Sequence, residues 1–237
     1  MDSVAVRRTT MLEADMLGRA VVITVVFFVG VGAVLFASAG TLGVPAFWAY
    51  LGEVILLSIV TLVFVNKRSP DLIAERLHPG AGEQDRIFMT AGVLLSIAHY
   101  TIAGADVGRF HRSDSVPFGV QVTGFVGIAA GFCFIAWAML VNPFFSSAVR
   151  MQEDRGQHVI TSGPYRFVRH PGYTGGLLYL LCSGVALGSW LSTLPMAAML
   201  PLLIRRTIIE DRMLRLQLTG YTEYARSVRY RILPGIW

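Results

Sequence analysis

The stretch that decides the fold is FGVQVTGFVGIAAGFCFIAWAMLV, which runs over 24 residues from Phe118 to Val141 and carries no charge. About 20 mostly apolar residues are enough for an α-helix to cross a lipid bilayer. Asn142 and Pro143 follow and would end or kink such a helix. The whole chain has the same character, because 54% of its residues are hydrophobic and 15% are charged, against roughly 25% charged in soluble domains. The sequence therefore predicts a membrane protein with a spanning helix here.

Three earlier stretches are also long and apolar enough to span a bilayer. They cover residues 18–39, 45–65 and 87–104, and Arg19 lies at the very edge of the first. Together with the quoted stretch they predict an N-terminal anchor of four spans within residues 1–141.

A fifth apolar block, residues 175–204, needs a different interpretation. As one helix its roughly 30 residues would be about 45 Å long, which exceeds an ordinary span. Gly188 and Ser189 break it near the middle, and Pro195 and Pro201 interrupt its second half. We predict a tight hairpin of two short helical arms. The expected fold is therefore an all-α polytopic transmembrane bundle of about six spans, with a C-terminal cytoplasmic helix and cap.

The distribution of charge predicts the topology. The chain has a formal net charge of +5 and a pI near 9.6. With six spans and both termini inside, all of the 20 lysines and arginines lie on the inner face except Arg109 and Arg112. Such a bias is typical of cytoplasmic loops. It predicts that both termini and the functional segments are cytoplasmic, and it explains the basic pI without a nucleic-acid partner.

The first segment with more polar chemistry than anchoring requires is GPYRFVRHPGY, residues 163–173. Its Gly-Pro start favours a turn, and the residue before each proline is restricted to extended or turn conformations. Tyrosine and arginine are common in membrane interfaces, so an anchoring belt is one interpretation. A histidine held between Arg169 and Pro171 is a poor anchor, however, and favours a rigid loop that grips a ligand.

The second such segment is RRTIIEDRML, residues 205–214. Helical spacing puts Arg206 and Glu210 on one face, where a surface ion pair would be worth a few tenths of a kcal/mol. Their position at the membrane exit instead favours a functional pair, because an acceptor from lipid would meet a ligand from the cytosol there. Asp211 and Arg215 have the same spacing, and we interpret them as a surface ion pair.

The remaining polar residues narrow the chemistry. Tyrosines and arginines alternate in the tail, residues 220–237, which we interpret as a packed cap and not as a nucleic-acid surface. Cys133 and Cys182 lie in apolar stretches and the five histidines are dispersed, so no metal site is predicted.

These motifs together resemble the isoprenylcysteine carboxyl methyltransferase family in its wider sense, which includes prokaryotic membrane methyltransferases and is similar to phospholipid methyltransferases. The resemblance covers residues 142–237 and identifies them as a methyltransferase core. It rests on Ser-Gly-Pro-Tyr at 162–165, Arg-His-Pro-Gly-Tyr at 169–173, Arg206 with Glu210, and Gly220-Tyr221 with Tyr224.

The resemblance implies S-adenosylmethionine as the cofactor. It implies that Glu210 holds the positively charged end of the cofactor and that Arg206 faces the carboxylate of the acceptor, and these two residues are the catalytic candidates. Arg150 stands where the family has a polar amide that contacts the cofactor. The other implied cofactor contacts are Gln157, His158, Val159, Ile160, Tyr165, His170, Pro171, Gly172 and Tyr173.

Several functions remain open at this point. Methyl transfer is an in-line displacement that needs mainly alignment of the reactants and exclusion of water. The first hypothesis is therefore a lipophilic or lipidated carboxylate acceptor taken from the bilayer. A phospholipid amine or a small thiol is the second, and an amine would need Glu210 or His170 as a base. Membrane sterol reductases, which use a nicotinamide cofactor, end in a tail similar to Tyr230–Pro234, and a non-enzymatic protein that keeps the fold is a further alternative.

Overall fold

A computed structural model describes residues 3–77 and 83–237, with side chains described from Met16 onwards except at positions 76 and 78–85. This described part is helical and contains no β-strand. Two short 3₁₀ turns, Glu153–Arg155 and Gly163–Arg166, and a π-helical turn, Asp106–Phe110, supplement the α-helices. The helices are α1 (Ser3–Ala39), α2 (Pro45–Arg68), α3 (Pro70–Leu77), α4 (Glu83–Ala105), α5 (Phe118–Val141), α6 (Pro171–Ala186), α7 (Thr193–Ala198), α8 (Leu200–Gln217) and α9 (Tyr221–Ser227).

Four of these helices are long and apolar enough to cross a membrane. The spans are Met16–Ala39 in α1, Pro45–Arg68 in α2, Arg86–Phe110 in α4 and its π-helical extension, and Phe118–Val141 in α5. They coincide with the four predicted spans. Large apolar side chains on their outer faces are more than half exposed, as lipid-facing residues are in an integral membrane protein: Val22, Phe64, Leu94 and Val126.

The connections between the spans set which helix ends lie together. Residues 40–44 join α1 to α2, and residues 111–117 join the π-helical turn to α5, so both connections lie at one end of the bundle. The opposite end holds α3 and the C-terminus of α5. The charge-based topology counts Arg7, Arg8 and Arg76 among its inner residues, and their side chains lie outside the described part of the chain.

Helix α3 lies at the end of the bundle where α5 finishes. Its Leu72 and Ile73 are buried and pack in one cluster with Val65 of α2 and Met139 of α5. This packing fixes α3 against the ends of two spans. Glu75, on the same short helix, can therefore reach residues that follow α5.

Helix α6 packs along α5 because small residues let their backbones approach. A Cβ atom on Gly131 would lie 2.7 Å from the carbonyl oxygen of Gly175, and one on Gly124 would lie 2.6 Å from the backbone nitrogen of Ala186. Close backbone contact at small residues is a common way to associate helices in membranes. The N-terminus of α6 is thereby held beside the C-terminus of α5.

The block predicted as a hairpin differs in its second half from the expectation. Helix α6 ends at Ala186, and Gly188 adopts the left-handed conformation (φ 82°) in the following turn. The second arm is not one helix that ends with the block. The short helix α7 has only six residues, and the last residues of the block belong to α8, which runs without a break from Leu200 to Gln217. Pro201 lies in the first turn of α8, where a missing N–H costs nothing. The count of six spans stays a prediction, since α6 has 16 residues, about 24 Å, against a hydrocarbon core of about 30 Å.

Candidate active site

A cavity of about 300 Å³ lies at the end of the bundle where α5 finishes and α6 begins. Its walls are the segment after α5, the loop before α6, and residues of α8 and α9. Its volume falls in the range of small-molecule sites. The C-terminal 40% of the chain therefore encloses a space suited to a small ligand.

The cavity brings together all twelve site residues that the family resemblance implies. In the sequence they are spread over three separate segments. The residues that line the cavity include Arg150, Gln157, His158, Val159, Ile160, Tyr165, His170, Pro171, Gly172, Tyr173, Arg206 and Glu210. Their shared location is a structural fact, whereas the role of each one stays a prediction.

The hydroxyl of Tyr173 bridges the two catalytic candidates. Arg206 donates from Nε to the Tyr173 hydroxyl at 2.9 Å, and that hydroxyl donates to Oε2 of Glu210 at 2.5 Å. Arg206 also donates through Nη2 to the carbonyl oxygen of Ser147, and its guanidinium carbon lies 4.6 Å from the ring centre of Phe88 in α4. The guanidinium and the carboxylate are thus held at fixed positions on the cavity wall.

The interpretation of Asp211 as half of a surface ion pair is wrong. Asp211 is 1% exposed. It lies on the buried face of α8 with Leu203, Thr207 and Leu214, at helical spacings of four, four and three residues. Arg215 does donate to it, at 3.1 Å, but only as one partner among several.

Asp211 is a buried hub of hydrogen bonds. Burial alone would raise the pKa of its carboxyl, but the hydrogen bonds from His170 and Arg169 outweigh that effect, so the pKa lies well below its usual range. Its partners are Arg169 (Nε at 2.7 Å and Nη2 at 3.2 Å), Tyr221 (3.0 Å), Arg215 (3.1 Å), Arg231 (3.2 Å) and Nε2 of His170 (3.4 Å).

Arg169 fastens the loop before α6 to the C-terminal tail. Besides Asp211, its guanidinium donates to the carbonyl oxygens of Val228 at 2.8 Å and Arg229 at 2.7 Å. Its backbone N–H donates to the carbonyl of Tyr230 at 2.9 Å. The sequence interpretation grouped Arg169 with the ligand-gripping residues, but its donors are used inside the protein. A rigid loop results, and the tail is part of the structure that makes it rigid.

His170 lies between the two neighbouring acids of α8. Its Nε2 is 3.4 Å from Oδ1 of Asp211, and its Nδ1 is 3.8 Å from Oε1 of Glu210. The imidazole ring also stacks on Tyr173, with ring centres 5.7 Å apart. His170 is therefore oriented by Asp211 on one side and presented to Glu210 and the cavity on the other.

The opposite wall offers main-chain groups and aromatic rings. Among the described residues, no hydrogen bond reaches the main-chain N–H or carbonyl of Val159 or Ile160, which line the cavity outside any helix. Tyr165 is fixed below them, because Asn142 donates to its hydroxyl at 2.7 Å and Tyr224 donates to its carbonyl at 2.8 Å. The sequence treated Asn142 only as a helix end, and a single sequence contains no signal for this second role.

Arg150 lines the cavity but is paired with an acid from the first half of the chain. Its Nη2 lies 2.7 Å from Oε2 of Glu75 and its Nε donates to Oε1 at 3.1 Å. The hydrogen bond from Arg150 holds the pKa of Glu75 below its usual range. Glu75 lies in α3, within the region predicted to serve only as an anchor, so the motif-based prediction missed it.

Comparison with known proteins identifies the family. A family model described as phospholipid methyltransferase matches residues 120–218, from α5 to the end of α8. Two curated relatives, each named "Probable protein-S-isoprenylcysteine O-methyltransferase", come from Oryza sativa subsp. indica and Oryza sativa subsp. japonica. Each is 33% identical over 150 residues, which covers 59% of this chain and 78% of the relative. Most of the residues that line the cavity lie in the matched region, and the chain belongs to the isoprenylcysteine carboxyl methyltransferase family in its broad sense; it is a methyltransferase.

Proposed function

We propose that this protein transfers a methyl group from S-adenosylmethionine to a lipophilic carboxylate acceptor at the membrane surface. The observation that carries the proposal is the Arg206–Tyr173–Glu210 bridge, which fixes a cation and an anion side by side on the wall of one cavity. The cofactor would come from the cytoplasm and the acceptor from the bilayer.

The charge of the cavity suits this cofactor. Glu210 is the only aspartate or glutamate among the described residues that line it. Its side chain is 28% exposed, so its carboxylate can meet a ligand. S-adenosylmethionine carries positive charge on its sulfonium and ammonium groups, and it supplies a methyl group on that sulfonium when bound. A carboxylate in a partly dry site attracts such a cation more strongly than one in bulk water.

The remaining walls suit the other parts of the cofactor. The main-chain groups of Val159 and Ile160 can hydrogen-bond polar edges, and the rings of Phe144 and Tyr165 offer flat apolar surface for a purine. We assign Gln157 and His158 to the same wall. His170, Pro171, Gly172 and Tyr173 would form the other wall, as the family resemblance implies.

We assign Arg206 to orienting the acceptor. A guanidinium can hold a carboxylate through two parallel hydrogen bonds, and a carboxylate is ionised before it binds, so no general base is needed. Beside the cavity, Arg206 also borders a small apolar crevice between α4 and α8, where a lipid tail could lie. That crevice is lined by Ile87, Phe88, Val149, Leu202, Arg205, Arg206 and Ile209.

The name of the relatives favours an oxygen acceptor. Both are called O-methyltransferases that act on protein-S-isoprenylcysteine, which is a lipophilic acceptor. A phospholipid amine is the second candidate, supported by the family model, and it would require Glu210 or His170 to remove a proton. Membership of a methyltransferase family disfavours the nicotinamide-dependent and non-enzymatic hypotheses.

The proposal also includes a division of labour along the chain. Residues 1–141 would anchor the protein, and residues 142–237 would form the catalytic core on the cytoplasmic side. The predicted bias of basic residues towards that face supports the sidedness.

The test is transfer of a labelled methyl group to a small S-prenylated cysteine by the purified protein in detergent. We expect a base-labile methyl ester on the free acid and no product on the matched carboxamide. Label that appears on phosphatidylethanolamine, or on a small thiol, and not on the S-prenylated cysteine would contradict the carboxylate assignment.

Arg206→Ala separates binding from turnover. We expect it to retain S-adenosylmethionine binding and to lose turnover of the S-prenylated cysteine by about 100-fold, because the acceptor is no longer oriented. Arg212→Ala, at an exposed position of the same helix outside the cavity and the crevice, is the matched control and should keep both. If cofactor binding collapsed in Arg206→Ala while a substrate still turned over, the role given to Arg206 would be wrong.

A further inference from the structure

The segment that follows α5 forms one whole wall of the cavity. Every residue from Phe144 to Arg150 lines it, and we call residues 144–150 the strap. The strap has no regular secondary structure. Its position must therefore be fixed by side-chain contacts with its neighbours.

One side of the strap is held by Glu75 of α3. Arg150 donates to both carboxylate oxygens of Glu75, at 3.1 and 2.7 Å, and the hydroxyl of Ser146 donates to Oε1 at 3.1 Å. The side chains of Glu75 and Arg150 are 10% and 29% exposed. A bidentate pair of this kind fixes orientation as well as distance.

The other side of the strap is held by Arg206 of α8. Arg206 donates to the main-chain carbonyl of Ser147, which lies between the two strap residues that contact Glu75. The same guanidinium donates to Tyr173, which donates to Glu210. Hydrogen bonds therefore connect α3 to the strap, and others connect the strap to the catalytic candidates.

We propose that Glu75 is a positioning residue for the active site. It acts through Arg150 and the strap, and it thereby fixes both Arg206 and the cavity wall that the strap forms. This inference rests on the proposed function of the cavity. It also assigns the first half of the chain a part in catalysis that anchoring alone does not include.

Loss of the Glu75 carboxylate should release one side of the strap. Glu75→Gln keeps the size of the side chain but removes the charge that binds Arg150. Arg150 would then keep Asp154, whose side chain is 67% exposed and lies 3.5 Å from Nη1. The strap would no longer be drawn towards α3, while the buried contacts of Leu72 and Ile73 would still hold α3 in place.

The experiment compares Glu75→Gln, Arg150→Met and the double variant with the wild-type protein. Calorimetry measures S-adenosylmethionine affinity, methyl transfer to the S-prenylated cysteine gives kcat and KM, and a thermal scan gives the unfolding midpoint. We expect each single variant to raise the Kd about tenfold, because Arg150 lines the cavity as a proposed cofactor contact, and to lower kcat about tenfold. The midpoint should stay within about 4 °C of the wild type. The double variant should be no worse than either single one, because both changes break the same link.

Asp154→Asn is the matched control, since it removes the exposed partner of Arg150 and leaves Glu75 in place. It should stay within about twofold of the wild type in every readout. Wild-type affinity and kcat in Glu75→Gln would overturn the inference alone. A lower midpoint with activity lost only in proportion to the unfolded fraction would also overturn it. If the wild-type protein bound no S-adenosylmethionine, the proposed function would fail first, and this inference would fail with it.

Discussion

Glu210 and Asp211 are consecutive acids on α8, yet they belong to different regions of the molecule. Consecutive helical residues point about 100° apart, so one side chain reaches the cavity and the other faces the packed interior. The side chain of Glu210 is 28% exposed, and that of Asp211 is 2% exposed. A carboxylate that protein cations surround, as at Asp211, therefore stabilises the fold. A carboxylate that borders a cavity, as at Glu210, remains available to a ligand.

The two regions are joined by His170. Its ring lies 3.4 Å from Asp211 and 3.8 Å from Glu210. The structural region around Asp211 therefore orients the functional region around Glu210. Variants on the Asp211 side should nevertheless change stability, and variants on the Glu210 side should change ligand binding.

Asp211→Ala should have the largest effect, and the effect should be on folding. The change leaves the guanidinium of Arg169 buried without its carboxylate, which typically costs about 3–5 kcal/mol. We expect a large drop in the free energy of unfolding in detergent. Glu210→Ala is the matched control and should change that free energy by less than about 1 kcal/mol. Equal losses in the two variants would remove the distinction between the regions.

Acid should destabilise the protein through the same region. The folded-state pKa of Asp211 lies below its unfolded value, so its contribution to stability is complete above about pH 4 and falls as the pH drops below that value. The loss for one such group can reach about 1.4 kcal/mol per pH unit. Thermal unfolding midpoints between pH 6 and pH 3 measure it.

Glu75 provides the control for the acid effect. The pKa of its carboxyl is also lowered, so it contributes in the same direction. If Asp211 is the main source of the acid sensitivity, the unfolding midpoint of Glu75→Gln should still fall with pH nearly as much as that of the wild type. If the midpoint of Glu75→Gln no longer fell with pH, Glu75 and not Asp211 would be the source of the acid sensitivity.

Glu210→Gln should affect the ligand and not the fold. We expect S-adenosylmethionine to bind tenfold or more weakly, about 1.4 kcal/mol, because the carboxylate that faces the cationic groups is gone. The unfolding midpoint should stay within a degree or two of the wild type. Unchanged affinity, measured by calorimetry, would remove Glu210 from the cofactor site.

Arg215→Ala should have the smallest effect. Arg215 donates to Asp211 at 3.1 Å, but its side chain is 37% exposed, and such pairs contribute at most about 1 kcal/mol. Arg169 and Tyr221 would still satisfy the carboxylate. A loss in unfolding free energy comparable to that of Asp211→Ala would show that the exposed partner matters as much as the buried ones.

The spans and part of the cavity's membership were predictable for physical reasons. Each of the four spans is an apolar stretch bounded by charge or by breaking residues, and that pattern depends on local sequence only. Residues 163–173 and 205–210 carry functional groups that exceed what a membrane anchor needs, such as a histidine held between Arg169 and Pro171. Local excess of this kind can be seen without knowing what the residues contact. The family resemblance alone implied Arg150 and residues 157–160.

The contacts across the chain were not predictable in the same way. Glu75 and Arg150 are 75 residues apart, and nothing in either segment indicates the other. Asp211 was interpreted wrongly for the same reason, because half of the buried face of α8 is polar and nothing local indicates its pairing with Arg169. Pro201 was interpreted as a break, whereas its position in the first turn lets it begin a helix.

Calorimetric binding of S-adenosylmethionine, and separately of NADPH, to the detergent-purified protein would test whether the cavity beside Glu210 is a site for S-adenosylmethionine. We expect micromolar binding of S-adenosylmethionine, no binding of NADPH, and at least tenfold weaker binding of S-adenosylmethionine in Glu210→Gln. Binding of NADPH alone would contradict the assignment of the cavity, and binding of neither would show that the walls around Glu210 do not form a cofactor site in the isolated protein.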